Sequence, residues 1–246
     1  MTRQLEPDRS ASHAPSPPIF HAHADAAAWQ AAAVAATVAA LGKALSETGR
    51  ARLLVSGGST PAPVYELLAT QPLDWSRIEV ALVDERWLPI GDPDSNARLI
   101  QETLLTGPAA VAKFTPIRMP GQDFAGAVLA ANQTSSPATI ALLGMGPDGH
   151  TASLFPNMHE LDQALASVAY YVGVDAGGCP GAGPWRQRVS LTPAGLAKAA
   201  TRLLLIRGEQ KRDVIQRALA GNDPHELPIR AVFPLPGEPL RIHWCP

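Results

Sequence analysis

The chain has only two cysteines, Cys179 and Cys245, far apart and with no CxxC pair. Structural zinc sites and disulfide scaffolds need several or closely spaced cysteines, so neither is expected, and a reducing cytoplasm is the simplest home. Excess charge of one sign is also missing. A formal net charge of −2 over 246 residues indicates no polyanion-binding surface, and nucleic acid is not an expected partner. The charged-then-apolar order of a signal peptide is absent. The alanine-rich run from Ala31 to Ala40 is short, weakly hydrophobic and bounded by Gln30 and Lys43, so it reads as a soluble helix and not as a membrane segment.

Further absences bear on chemistry. There is no Gly-x-Ser-x-Gly elbow, which disfavours a serine hydrolase, and no Gly-Lys-Ser/Thr triplet, which excludes a nucleotide P-loop. Asp92-x-Asp94-x-Asn96 imitates the start of a calcium loop, but Ala97 stands where glycine is needed and Thr103 where a bidentate Glu belongs. Gly144-x-Gly146-x-x-Gly149 formally matches a dinucleotide fingerprint, which requires a long following helix. Pro147 and Pro156 limit any helix starting near His150 to about one or two turns. No metal and no cofactor are expected.

What is present is a large apolar fraction, 46%, sufficient for one large core or two small ones. The first nineteen residues, rich in Pro, Ser and charge, read as a flexible tail before a domain spanning 20–246. Short apolar runs near Leu53, Val80, Ile140, Val168 to Val172, Val189 and Leu203 alternate with helical stretches. Val34, Val38, Leu41 and Leu45 form one face of a helix beginning near Asp25. The alternation predicts βαβ units: a single three-layer α/β/α domain with a mostly parallel, Rossmann-like sheet. There is no internal repeat. Asp175 to Pro184, dense in glycine and proline, reads as a mobile loop beside a site.

Three segments carry chemistry. Gly144 to His150 follows the apolar run Thr139 to Leu143 and sets Asp148 and His150 two residues apart in a glycine-rich turn. A histidine there can be merely structural, but at a strand's carboxyl end, where α/β sheets bind ligands, neutral imidazole is well suited to accept a proton. Ser56-Gly57-Gly58-Ser59-Thr60-Pro61 follows another apolar run; Thr60 suits an N-cap and Pro61 the first helical position. Free N–H groups at such a helix start make a cradle for phosphate. Asp84, Glu85 and Arg86 arrive together at the end of a third run, and Asp92 to Asn96 reads as a turn capping the helix through Leu99 and Leu104.

SGGSTP, then VDERWLP with DPDSN, then LLGMGPDGHTASLFP, in that order, resemble the 6-phosphogluconolactonase family, in the superfamily that also holds glucosamine-6-phosphate deaminases. The resemblance runs from Phe20 to Trp244. Trp185 to Thr192 is similar to the family's arginine-bearing strand, and Arg207 to Lys211 to its strand-then-lysine turn; Asp175 to Pro184 departs from the more proline-rich, polar family segment. The resemblance implies hydrolysis of a phosphorylated sugar lactone with His150 as the base that activates water. Asp148 or Asp84 would support the ring, and the sequence leaves that choice open. It further implies that the turn at Gly57, Gly58, Ser59 and Thr60 takes the substrate phosphate with Arg188 and Lys211, and that Arg86 lines the same cleft. The expected partner is this small molecule, with no obligate protein partner. A deaminase would carry an Ala-Phe-Asn-Glu segment after the histidine; Thr151 to Phe155 contains no acid. A noncatalytic sugar-phosphate sensor would have no need of His150.

Overall fold

The computed structural model describes residues 16–246. In chain order its strands are β1 (Ile19–Ala22), β2 (Ala51–Val55), β3 (Ile78–Leu82), β4 (Asp84–Arg86), β5 (Lys113–Phe114), β6 (Ala138–Leu143), β7 (Tyr171–Asp175), β8 (Gln187–Leu191), β9 (Ala199–Arg207) and β10 (Arg241–Cys245). The helices are α1 (Ala26–Thr48), α2 (Ala62–Ala69), α3 (Asn96–Thr103), α4 (Phe124–Gln133), α5 (Leu161–Ala166), α6 (Pro193–Leu196) and α7 (Glu209–Leu219). Seven strands form a parallel sheet in the order β1-β10-β9-β6-β2-β3-β5, flanked by helices. β2 is buried at every residue; a strand covered on both faces reads as a continuous apolar run, which is why it was legible.

α1 starts where Asp25 accepts the Ala28 N–H at 2.8 Å, and stops where Gly49 turns left-handed at φ 74°. Between these caps alanine favours helix, and Trp29, Ala33, Val34, Thr37 and Leu41 bury one face against the sheet. Val38 and Leu45 are only partly buried against the same core. By length and composition α1 passes for a membrane-crossing helix, but its apolar face is occupied by the sheet.

Several expectations are corrected. The segment near Val168 to Val172 and the one near Val189 do not join the parallel sheet: β7 and β8 pair antiparallel with β4 in a separate three-stranded sheet. Val168 is 93% exposed, and the strand begins only at Tyr171. β1 begins at Ile19, one residue inside the expected tail; the rest of that tail up to residue 15 lies outside the described residues. Thr60 does not cap α2, because Pro61 itself holds the cap position with helical φ −81° and no side-chain cap bond. In keeping with the limit set by Pro147 and Pro156, no helix starts at His150; the chain closes a tight turn in which Leu154 N–H donates to the Thr151 carbonyl at 3.0 Å.

The order of strands positions the cleft. β2 and β6 are neighbours at the sheet centre, and the connection runs to β3 and β5 on one side and to β9, β10 and β1 on the other. Loops leaving two such strands diverge at their carboxyl ends and open a crevice. The loops here are Ser56 to Pro61 and Gly144 to His150.

Candidate active site

The crevice is a cleft of about 220 Å3 lined by the turn after β2, the turn after β6, Asp84, Arg86, Arg188 and Lys211. The sequence-predicted residues Gly57, Gly58, Ser59, Thr60, Asp84, Arg86, His150, Arg188 and Lys211 all border it, while Asp148 stands directly behind the ring of His150. A larger groove of about 900 Å3 lies at the opposite, amino ends of β2, β3 and β6 and contains none of them.

The turn after β6 is held by its own backbone. Gly146 N–H donates to the His150 carbonyl at 2.9 Å, and Thr151 Oγ1 donates to the Gly144 carbonyl at 2.9 Å. Gly149 sits at φ 81° with Leu227 packed against its Cα side, so a side chain there meets both strain and collision. A Cβ on Gly146 would overlap both Asp148 and His150, so the bare backbone lets the pair lie close against the turn. His150 Nδ1 and Asp148 Oδ1 are 2.5 Å apart, and the His150 backbone N–H also donates to that oxygen at 3.2 Å. Burial pushes the Asp148 carboxyl up, but the hydrogen bonds and charge of His150 outweigh this and hold it below its usual range. An ionised Asp148 accepts from Nδ1–H, and Nε2 then carries the ring's lone pair. Nε2 makes no hydrogen bond among the described residues. The Phe155 ring lies 4.4 Å from the imidazole, centroid to centroid.

Asp84 does not touch the imidazole. It is 6% exposed, and its Oδ2 accepts from Ser153 Oγ at 2.6 Å. Ser153, which the sequence did not single out, is fully buried, its N–H bonded to Ser190 Oγ at 3.0 Å. Nor was Glu85 singled out. It is 2% exposed and accepts from the backbone N–H groups of Asn96 (2.8 Å) and Ala97 (2.7 Å) at the start of α3, from Ser95 Oγ (3.1 Å) and from Arg86 N–H (2.8 Å). Burial, opposed by these bonds, raises its carboxyl to about 6.

The cationic end is arranged differently. Lys211, in the first turn of α7, is bonded only to Thr60 Oγ1 at 3.3 Å and has no carboxylate within salt-bridge reach among the described residues. Burial pushes its ammonium down. Arg188 is 5% exposed, with Nε donating to the Trp185 carbonyl at 2.9 Å and Nη2 to the Ala182 carbonyl at 2.5 Å. Burial lowers its guanidinium too, and Nη1 makes no hydrogen bond among the described residues. Arg86 Nη1 donates to the Asp94 carbonyl at 2.5 Å. Gly58, at φ 98° with open space beside it, turns the β2–α2 backbone toward these cations. The Asp175 to Pro184 loop touches both groups: the Ala182 carbonyl accepts from Arg188, and Gly181 packs on Asp148 and His150 closely enough that a Cβ would overlap the carboxylate.

Comparison with known proteins places this Rossmann-like architecture, with its carboxyl-edge cleft, in a defined family. Residues 24–244 match the family described as glucosamine-6-phosphate isomerases/6-phosphogluconolactonase, and the chain belongs to it. Among its relatives, the 6-phosphogluconolactonase of Xylella fastidiosa strain 9a5c is 52% identical over 204 residues, covering 82% of this chain and 85% of that one. The 6-phosphogluconolactonase of Pseudomonas aeruginosa PAO1 is 42% identical, covering 89% and 92%. The crystal structure of a 6-phosphogluconolactonase from Shewanella baltica OS155 superposes with a TM-score of 0.86 at 32% identity, covering 95% of this chain and all of that one.

Proposed function

We propose that the protein hydrolyses 6-phospho-D-glucono-1,5-lactone to 6-phosphogluconate, the second step of the oxidative pentose phosphate pathway, by histidine-assisted attack of water on the lactone carbonyl. The enzyme is of the 6-phosphogluconolactonase kind, a hydrolase acting on a lactone. One observation carries the mechanistic reading: among the described residues, a single small cleft has an imidazole with a free Nε2 on one wall and a lysine with no carboxylate partner on the other.

A lactone is an activated ester, so its hydrolysis needs a positioned base and no covalent nucleophile. His150 Nε2 takes a proton from water as the water oxygen bonds to the carbonyl carbon. Collapse of the tetrahedral adduct breaks the bond to the ring oxygen, which receives that proton back and becomes a hydroxyl. Asp148, in contact with Nδ1, orients the ring and stabilises its protonated form. Asp84, which borders the cleft, is assigned to substrate hydroxyls. The phosphate takes the N–H groups of Gly58 to Thr60, the Nη1 of Arg188, and Lys211, two positive charges on one dianion. Such a small-molecule reaction suits a cytoplasmic enzyme without an obligate partner. The test is a coupled assay for loss of 6-phosphogluconolactone above its spontaneous rate: a catalysed rate that His150→Ala removes supports the reading, and no rate above background in the wild type ends it.

A further inference from the structure

Asn96 lies outside every role assigned so far, yet it is 3% exposed and borders the cleft. Three contacts tie it to three parts of the site. Its backbone N–H is held by Glu85 Oε1 at 2.8 Å, and its Nδ2 donates to the Asp84 carbonyl at 2.8 Å. Its amide oxygen lies directly against Gly57: a Cβ built on that glycine would overlap Asn96, and its three nearest neighbours are all atoms of that one side chain. Gly57 has no positive φ that would by itself require glycine. The nearest obstacle to a side chain there is Asn96.

We propose that Asn96 is a positioning residue, a spacer clamped to the Asp84 strand-end whose amide sets the height of the Gly57–Thr60 turn over the phosphate subsite. Gly57 and Asn96 then act as one unit. The inference rests on the phosphate assignment made above and adds the device that fixes that subsite relative to the reacting end. A residue that merely begins α3 would leave phosphate affinity and Gly57 uncoupled.

The test is a double-mutant cycle read as inhibition by inorganic phosphate and as KM and kcat on the phosphorylated lactone. Gly57→Ala, which must push the turn away from Asn96, is expected to weaken phosphate inhibition and raise KM by up to roughly 100-fold. Asn96→Ala is expected to lose less, and Gly57→Ala/Asn96→Ala to recover toward wild type because the collision is gone, a departure from additivity of at least about threefold. The longer amide of Asn96→Gln, pressing on Gly57 from the other side, should raise KM with kcat less affected; it serves if Gly57→Ala does not fold. Additive losses in the cycle, or an Asn96→Gln variant with unchanged phosphate inhibition, would overturn the proposal. Lys211→Ala separates the two layers. If it weakens phosphate inhibition while the cycle is additive, the phosphate assignment stands and the spacer role fails; if it leaves inhibition unchanged, the phosphate assignment itself fails.

Discussion

The two walls of the cleft are built on opposite plans. At the reacting wall the decisive contact lies within one turn: Asp148 and His150 meet at 2.5 Å inside a loop closed by its own backbone. At the phosphate wall Lys211 is hydrogen-bonded, among the described residues, only to the Thr60 hydroxyl, and Arg188 spends two of its nitrogens on carbonyls of its own loop. Burying cations costs stability; burial lowers both groups, although the nearby Asp84 and Glu85 carboxylates act on Arg188 in the opposite sense. A preassembled pair suits a proton transfer that must find its geometry ready. An incomplete cation set suits a wall completed by an arriving anion. On this comparison, damage to one wall slows chemistry and damage to the other weakens binding.

The largest expected effect is at the reacting wall. His150→Ala should lower kcat by roughly 10²- to 10⁴-fold, the usual cost of a lost general base, with affinity for 6-phosphogluconate preserved. Asp148→Asn keeps the shape but exchanges an ionised partner for a neutral one, so kcat should fall by roughly 10- to 150-fold, the worth of a charge-assisted bond. Steady-state kinetics with the spontaneous rate subtracted decide both. Near-normal turnover in His150→Ala would remove the distinction between the walls.

How visible each wall was in the sequence follows from how local it is. Asp148 and His150 are two residues apart, and glycines around them advertise a turn, so the pair was legible. Choosing Asp148 over Asp84 as its neighbour required coordinates, because Asp84 is engaged by Ser153, 69 positions away. The approach of Lys211 to Thr60 spans 151 positions and was suggested only by family resemblance. The central strands β2, β3, β6 and β9 were readable as apolar runs. β10, with Arg241 and His243 in five residues, was not, nor was the four-residue β1. Placing β7 and β8 in the parallel sheet failed because hydrophobicity marks a strand without marking its partner. Asn96 was read as part of a capping turn, and Ser95 does cap α3 through Arg98 N–H; its contact with Gly57 left no local trace.

At the phosphate wall, Lys211→Ala and Arg188→Ala should raise KM for the phosphorylated lactone by roughly 10- to 150-fold and change kcat little. Unphosphorylated gluconolactone, which has no phosphate to lose, should be turned over at nearly its wild-type low rate. Equal damage to the two substrates would mean that these residues support the reacting wall or the fold, and the comparison would collapse from that side.

Glu85 gives a smaller effect, on stability and not on either wall. Its folded carboxyl is raised from 4.5 to about 6, so the folded protein holds this proton more tightly than the unfolded chain. The associated stability is complete below about pH 4.5 and is lost as pH rises through about 6, amounting to about 2 kcal/mol at most. Denaturant unfolding of wild type and Glu85→Gln from about pH 4 to 7 should therefore show the difference shifting against the wild type as pH rises. A shift in the opposite direction would mean that the hydrogen bonds from Asn96, Ala97, Ser95 and Arg86 outweigh burial.

The smallest effect sharpens the comparison most finely, because it sets two arginines of one strand region against each other. Arg186 precedes β8 (Gln187–Leu191) and Arg188 lies within it, and the two side chains meet different surroundings. Arg188 is buried and lines the cleft. Arg186 points outward, 69% exposed at its side chain, paired with Asp175 at 2.6 Å. An exposed pair of this kind is screened by water and contributes little. Arg186→Ala should leave both KM and kcat within about twofold of wild type, whereas Arg188→Ala shifts KM strongly. The Asp175–Arg186 pair does brace the base of the loop carrying Gly181 against Asp148 and His150, so the variant also reads whether that loop needs a charged brace. A kcat loss in Arg186→Ala beyond about tenfold, with KM unchanged, would show that the reacting wall depends on the loop and is less self-contained than its backbone closure implies.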